Sequence, residues 1–414
     1  MPHPEVIPAL LLIADGLGDR YCPELGGRTP LEAANTPTLD RLAAEGETGL
    51  LDPIDVGVRG GSDTGHLSIL GYDPYRYYTG RGPFEALGIG MDVRPSDIAF
   101  RGNFASLDAS GIVIDRRAGR ITEGTVDLAA ALDGFECEGI VCRVKESIAH
   151  RCAVVLRGEG LSDQVGETDP HDEGAAPFHP LLPGADAAGQ KTARVLQAFT
   201  RHSYEVLNDH PVNRRRREEG QPPANIVLTR GAGRSPDLAP FDAANNVHSA
   251  CIVEVGLVKG IGRYLGMEVI DVPGATGGLD TDTDAIGRAV VAALRDHDFI
   301  LCNVKGPDVA AHDGDPLGKR EIIEKIDRMV AQILRGHGDR LVVTVTGDHT
   351  TACETGDHTG EPCPILFWGP GVRRDAVTAF GETACGTGSV HRIRGLAVVR
   401  ILTSYMGAQE KYGA

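Results

Sequence analysis

The run RLVVTVTGDHTT, residues 340 to 351, is apolar and β-branched up to Thr346 and then meets Gly347, Asp348 and His349. A nearly continuous apolar run of this kind reads as a parallel strand buried on both faces. Charged groups at its mouth need a partner or an ion. The same grammar recurs on either side of it. VIPALLLIA, residues 6 to 14, runs straight into Asp15-Gly16, and DFILCNV, residues 298 to 304, precedes KGPDVAAHDG with Asp308 and His312. SACIVEV (249 to 255), MEVIDV (267 to 272) and PILFWG (364 to 369) read as further strands. Helical stretches lie between, notably DTDAIGRAVVAALRDH and KREIIEKIDRMVAQILRG. Near the start, Thr36-Pro37 supplies an N-cap and first-turn proline for TLDRLAAEG, which Gly46 closes. Strands alternating with helices make an α/β fold: a mostly parallel sheet with helices on both faces.

Between residues 92 and 235 the texture changes. Short β-like segments (DIAFRGNFASL, GIVIDRR, EGIVCRVKE, RCAVVLRG) precede a Gly/Pro/Asp-rich stretch from 158 to 187 and one helical run, KTARVLQAFTRHSYEVL. This pattern predicts an inserted α+β domain over 92–235, with 1–91 and 236–414 forming the catalytic domain. The glycine-containing FEALGIG and TRGAGRSP suit the two crossings as hinges. The RRRR run at 214 to 217 reads as a solvated helix face.

At 414 residues the chain exceeds the size at which one core stops growing. Its 58 acidic against 41 basic residues give a net charge of −17, which argues against nucleic acid as a partner. No apolar run reaches the roughly 20 residues of a membrane span. Residues 6 to 14 lack the basic flank of a signal peptide, so no membrane association is expected. Nine cysteines with no CxxC pair fit neither a disulfide framework nor a zinc ribbon, and a reduced, cytoplasmic protein is the expectation. Nothing in the sequence specifies an oligomeric state.

Asp15, Asp308 with His312, Asp348 with His349, and His358 are far apart in sequence, yet each lies where a strand ends or just beyond. That is where ligands gather on an open α/β sheet. The four-residue spacing of Asp308 and His312 places carboxylate and imidazole on one helical face. Mixed Asp/His ligation suits Mn²⁺, Mg²⁺, Co²⁺ or Zn²⁺ in a catalytic site, and two such ions about 3.5 to 4 Å apart can clamp both oxygens of a phosphoryl transfer. GSDTGHLSILGYDP supplies a nucleophile: Ser62 follows two glycines and opens a short helix, whose N-terminus favours an attached phosphate.

With these residues in view, IADGLGDR (13 to 20), RTPLEAANTPTLDRLA (28 to 43), GSDTGHLSILGYDPYRYYTGRGPFEALG (61 to 88), TGDHTT (346 to 351) and HTGEPCP (358 to 364) resemble the archaeal-type cofactor-independent phosphoglycerate mutases, members of the alkaline phosphatase superfamily. The likeness extends over nearly the whole chain. It implies that Asp308, His312 and His358 hold one ion, and that Asp15, Ser62, Asp348 and His349 hold the other. Ser62 would carry the phosphoryl group between the 3- and 2-oxygens of glycerate, a small-molecule substrate, with no 2,3-bisphosphoglycerate. Candidate anion holders are Arg81, Arg151, Arg157, Arg230 and Lys259, since guanidinium forks match carboxylate and phosphate oxygens. Gly65 departs from the alanine expected in the archaeal subgroup, and His66 is expected to support the serine loop by a hydrogen bond. A two-metal phosphomonoesterase or a phosphopentomutase-like enzyme of the same superfamily would show the same ligands and remains the alternative.

Overall fold

The protein is described by a computed structural model covering residues 6–235, 238–411 and 413. It divides into two compact units: one runs to Arg76 and resumes at Leu238, and the other starts at Tyr77 between them. The first crossing thus falls before the expected 91/92 position. FEALGIG is no hinge: its first five residues lie in the helix Gly82–Gly88, which packs on strands of the second unit, Ile98–Leu107, Arg151–Arg157 and Ile226–Arg234. Pro236, where the second crossing was placed, lies outside the described residues.

The first unit is built on an eight-stranded sheet. The strand Ala9–Ala14 lies at its centre, parallel to Phe299–Val304 on one side and to Val342–Thr346 on the other. Ser249–Val253 and the short Glu268–Val269 extend the parallel part beyond Phe299–Val304. On the far side, Cys363–Trp368 runs antiparallel to Val342–Thr346, Glu47–Asp52 runs antiparallel to it in turn, and His391–Arg394 closes the edge. The sheet is therefore mixed through one strand: Cys363–Trp368 runs against the other seven, which share one direction. Glu47–Asp52 and His391–Arg394, which the sequence did not mark as strands, carry no long apolar run. Glu47 interrupts ETGLLD yet is buried with its carboxylate on the Tyr405 and Ser389 hydroxyls, and HRIR alternates charge along an exposed edge.

Every residue of Ala9–Ala14 is buried. Since successive strand residues point to opposite faces, both faces are covered. Leu10, Leu12 and Ala14 pack with Ile326, Val330 and Ile333 of the helix Pro316–His337 and with Ile286 and Val290 of Thr283–Ala293. Each such side chain contributes about 1.5–3 kcal/mol of transfer free energy. The long helix starts where Asp315 accepts a 2.9 Å bond from Gly318 N and Pro316 fills the first position. Thr36 stands at the N-cap of Pro37–Glu45 without a side-chain cap bond, and Asp327 of the long helix instead accepts from Leu39 N at 2.8 Å. In register, Ile13 pairs with both Asn303 and Thr346. The turns carrying Asp15, Lys305 and Asp348 consequently emerge together at the carboxyl ends of three adjacent strands.

In the second unit, strands Ile98–Leu107, Val113–Asp115, Phe135–Cys137, Ile140–Glu146, Arg151–Arg157 and Ile226–Arg234 form an antiparallel sheet. The helices Thr125–Leu132 and Ala187–Leu207 pack on it around Phe100, Phe104 and Phe199. The stretch TRGAGRSP, expected as a hinge, is strand through Arg234, with a bulge opposite Ala99 and Arg101 absorbing its irregularity. Of the RRRR run, Arg216 is buried, donating to Ala118 O and Pro222 O, and the other three arginines are exposed. Among the described residues no helix is long and apolar enough to cross a membrane.

Candidate active site

Asp15 stands on the turn after the central strand. The next residue, Gly16, has φ of 63°, and a Cβ there would lie 2.8 Å from that of Asp308. Glycine lets these two turns meet, and its N–H donates to Asp348 Oδ1 at 3.0 Å. Ser62 opens the helix Ser62–Ile69. A Cβ at Gly65 would stand 2.3 Å from the Asp348 carbonyl oxygen, so this chain's glycine allows the serine helix its close approach to the Asp348 turn.

The separated clusters of the sequence converge. Asp308, His349 and His358 form one group whose ligand atoms lie within 4.8 Å of one another, and Asp15, Asp348 and His349 form a second. His349 is common to both, stacked on His358 at 3.6 Å between ring centroids. His312 flanks the first group, its Nε2 3.4 Å from Asp308 Oδ2. The Ser62 hydroxyl lies 3.1 Å from His349 Nε2.

All three of these histidines are oriented alike. Nδ1 of His312 donates to Gly356 O at 2.8 Å, that of His358 to Gly60 O at 2.8 Å, and that of His349 to Thr351 Oγ1 at 3.0 Å. When the ring is neutral, each Nε2 is thereby the lone-pair nitrogen facing the carboxylates, the tautomer a metal ligand requires. Thr351 passes its own hydroxyl hydrogen to Asp308 Oδ1 at 2.7 Å and so braces a member of each group. His66 donates from Nδ1 to the Ser62 carbonyl at 2.7 Å, as expected of it. Asn303 donates to His66 Nε2 at 3.2 Å and to Asp15 Oδ2 at 3.0 Å.

Lys305, which the sequence reading passed over, is central. Its Nζ lies 2.6 Å from Asp15 Oδ1, 2.7 Å from Asp308 Oδ2 and 3.2 Å from the Ser62 hydroxyl. Burial alone would lower its pKa, but Asp15, Asp308 and Asp348 overrule it and hold the ammonium above its usual value. Its signal was in KGPD, a cation three residues before Asp308, on the same helical face. Glu254 braces it, accepting from Lys305 N at 2.6 Å and from the Thr281 hydroxyl.

Three carboxylates, Asp15, Asp308 and Asp348, are almost wholly buried around one ammonium. Burial, then Asp348, raises the Asp15 carboxyl; against its own burial, Asp308 is held low by His358 and Lys305. Asp348 Oδ2 is buried 3.2 Å from His349 Nε2 and 3.3 Å from His66 Nδ1, a nitrogen already given to Ser62 O. Buried negative charge in excess and three imidazoles whose Nε2 atoms face those carboxylates fit divalent cations.

The candidate anion holders are placed differently. In the second unit Arg81 bonds Glu85 at 3.0 Å, Arg230 stands 4.0 Å from Asp169, and Arg157 is committed to Asp97 at 2.7 Å. Arg151 lies with Arg81 and Arg230 around Arg101, which no sequence signal separated from the strand bearing it. Arg101 has a side chain only 13% exposed and a buried Nε without a partner. Burial, with Arg151, Arg230 and Arg81 adding, brings its pKa down to about 10 despite Glu85. In the first unit Lys259 bonds Asp271 at 2.6 Å.

The family profile of 2,3-bisphosphoglycerate-independent phosphoglycerate mutase matches residues 43–213. A curated mutase of that name from Methanothermobacter thermautotrophicus is 50% identical over 98% of this chain and 99% of its own length. One from Methanocaldococcus jannaschii is 47% identical over 98% of each. Among solved structures, a Pyrococcus horikoshii protein superposes with a TM-score of 0.87 at 40% identity, covering 99% of this chain and all of that one. The cofactor-independent phosphoglycerate mutase of Thermoplasma acidophilum gives 0.73 at 40% identity, covering 96% and 99%.

Proposed function

The chain belongs to the 2,3-bisphosphoglycerate-independent phosphoglycerate mutases, isomerases that interconvert 3- and 2-phosphoglycerate, and on that premise we propose that Ser62 carries the phosphoryl group between the two oxygens. The observation that carries this reading is the Ser62 hydroxyl at a helix N-terminus, between His349 Nε2 at 3.1 Å and Lys305 Nζ at 3.2 Å. Serine is a weak nucleophile until its hydroxyl is acidified. A pair of divalent ions, drawn from Mn²⁺, Mg²⁺, Co²⁺ or Zn²⁺, would acidify that hydroxyl and neutralise phosphoryl charge when bound. Asp15, Asp348 and His349 would hold one, with Ser62 beside it; Asp308, His358 and His312 would hold the other.

Lys305, 3.2 Å from the Ser62 oxygen, would serve there as a fixed cation. In the first transfer the bond from phosphorus to the 3-oxygen breaks and the bond to Ser62 Oγ forms. The proton surrendered by the serine hydroxyl balances the one taken up by the departing oxygen. The second transfer reverses this onto the 2-hydroxyl of the retained glycerate, so no water, oxidant or bisphosphate enters the balance. The helix N-terminus favours the phosphate on Ser62. Arg81, Arg101, Arg151 and Arg230 are the proposed holders of substrate anionic groups, with Lys259 as a further candidate. Arg157, already engaged by Asp97, is assigned chiefly to the sheet. Nine unpaired cysteines, eight of them buried, support placing the enzyme in a reducing cytoplasm, and the ligand geometry supports membership of the alkaline phosphatase superfamily.

A phosphorus NMR time course with Mn²⁺ and 3-phosphoglycerate, without 2,3-bisphosphoglycerate, tests the reading. The signal of 2-phosphoglycerate is expected. Free phosphate as the sole product would move the protein to the hydrolases.

A further inference from the structure

The geometry points to Lys319 as a positioning residue of the two-ion centre, an inference that rests on the metal reading above. Lys319 sits in the first turn of Pro316–His337, and its side chain has no exposed surface. An ammonium has three hydrogens to donate, and all three are spent: on Gly18 O at 2.9 Å, Asp19 Oδ2 at 2.8 Å and Thr351 O at 2.8 Å. Those acceptors belong to the two turns that carry the ligands. Gly18 and Asp19 follow Asp15; Thr351 follows Asp348 and His349.

The ties continue through both partners. Asp19 Oδ1 accepts from Cys353 N at 3.1 Å, joining the first turn to the second independently of Lys319. Thr351, held by its carbonyl, uses its hydroxyl to bridge His349 Nδ1 and Asp308 Oδ1, one member of each ligand group. Lys319 touches no ligand atom itself. Its ammonium ties both turns to the start of the long helix, beside the direct bonds that the turns make to each other.

A buried ion pair is weak evidence of stability, because apolar side chains of similar volume often stabilise a core as well or better. What apolar groups cannot supply is a fixed point for three acceptors on two turns. Misplacing a ligand by a fraction of an ångström is felt in metal affinity and coordination before it is felt in folding.

The test is a cobalt(II) titration of the full chain, read by calorimetry and by the visible d–d absorption, with thermal unfolding of the metal-free proteins alongside. The proteins are wild type, Lys319→Met and Asp19→Asn/Lys319→Met. The single variant leaves the Asp19 carboxylate buried and unpaired and is expected to melt lower. The double variant removes that charge and is expected to recover most of the melting temperature, yet to bind cobalt at least about tenfold more weakly, with an altered spectrum. A folded double variant with wild-type affinity and spectrum overturns the assignment and leaves the pair a stability feature. Should neither Lys319 variant fold, Asp19→Asn, which keeps the shape of the acid, is read in the same way: weakened, altered cobalt binding supports the inference and unchanged binding overturns it. A wild type that takes up no cobalt overturns the metal reading itself, and this inference with it.

Discussion

The ammonium of Lys305 and the hydroxyl of Ser62 are 3.2 Å apart, and the same ammonium touches Asp15 and Asp308, acids drawn from different ligand groups. A cation so placed opposes charge on the serine oxygen and on any phosphoryl group joined to it. Lys305→Met keeps the length of the side chain and deletes the charge. Turnover should fall about 10²- to 10³-fold, the usual cost of one preorganised donor, while the protein stays folded and retains metal. Steady-state kinetics with 3-phosphoglycerate decide it, and near-wild-type turnover would remove Lys305 from the chemistry.

Ser62→Ala should abolish transfer while leaving the fold intact, because the helix Ser62–Ile69 takes no cap bond from the serine side chain. Intact-protein mass spectrometry after brief exposure to 3-phosphoglycerate should show a phosphorylated fraction in wild type and none in the variant. Mutase turnover surviving in the variant would end the phosphoserine assignment.

Asp348 presents Oδ1 to Gly16 N and turns Oδ2 toward the His349 and His66 rings. Asp348→Asn preserves the first contact and lowers the charge offered to an ion. Metal analysis should then find reduced occupancy and kinetics should find little turnover. Two fully occupied ions in an active variant would contradict the ligand map. Chelation of the wild type should also lower its melting temperature. A free ion at about 100 times its dissociation constant stabilises by about 2.7 kcal/mol per site, so a chelator-treated protein that melts unchanged would speak against metal in these groups.

The proposed ligand residues were legible in the sequence because each follows a recognisable strand or a long motif, so that Asp15, Asp308, Asp348 and His349 could be placed at strand mouths from periodicity. Lys305 and Thr351 were harder to see: the spacing of Lys305 to Asp308 is the one local hint of the first, and a threonine after a histidine carries no pattern until the register of three strands brings them together. Glu47–Asp52 and His391–Arg394 escaped for the opposite reason: edge and near-edge strands with polar ends lack the apolar run that marks a buried parallel strand. Arg101 was hidden inside a strand otherwise read for its apolar alternation. Its significance lies in the other arginines that the antiparallel sheet and the start of the helix Gly82–Gly88 set around it.

Stability should carry a pH dependence from His150, distant from the ligand turns in sequence and part of the second unit. Burial, then the neighbouring Arg151, Arg117 and Arg101, lowers its pKa from 6.5 to about 4. The unfolded chain therefore takes up this proton first as pH falls below 6.5, so stability declines between pH 6.5 and about 4 and is unaffected by this group above that window. The residue is partly solvated, so its share is on the order of 1–2 kcal/mol. Denaturant melts of wild type and His150→Gln at pH 7 and pH 5 check it. The difference between the two proteins should change with pH in favour of the variant at pH 5, and parallel behaviour would refute the assignment.

Arg101 and Arg157 are both arginines of the second unit, yet opposite outcomes are expected of them. Arg101 is crowded by like charges, and its buried Nε has no partner, an arrangement that costs stability unless an anion is there to accept. Arg101→Met should raise KM for 3-phosphoglycerate about tenfold or more, equivalent to about 1.4 kcal/mol of lost binding, and should leave the melting temperature unchanged or higher. Arg157 is already satisfied by the fully buried Asp97. Arg157→Met strands that carboxylate and should cost on the order of 2–3 kcal/mol of stability, with KM little moved. Paired kinetics and melts of the two variants separate substrate binding from support of the sheet, and a KM rise confined to Arg157→Met would exchange their roles.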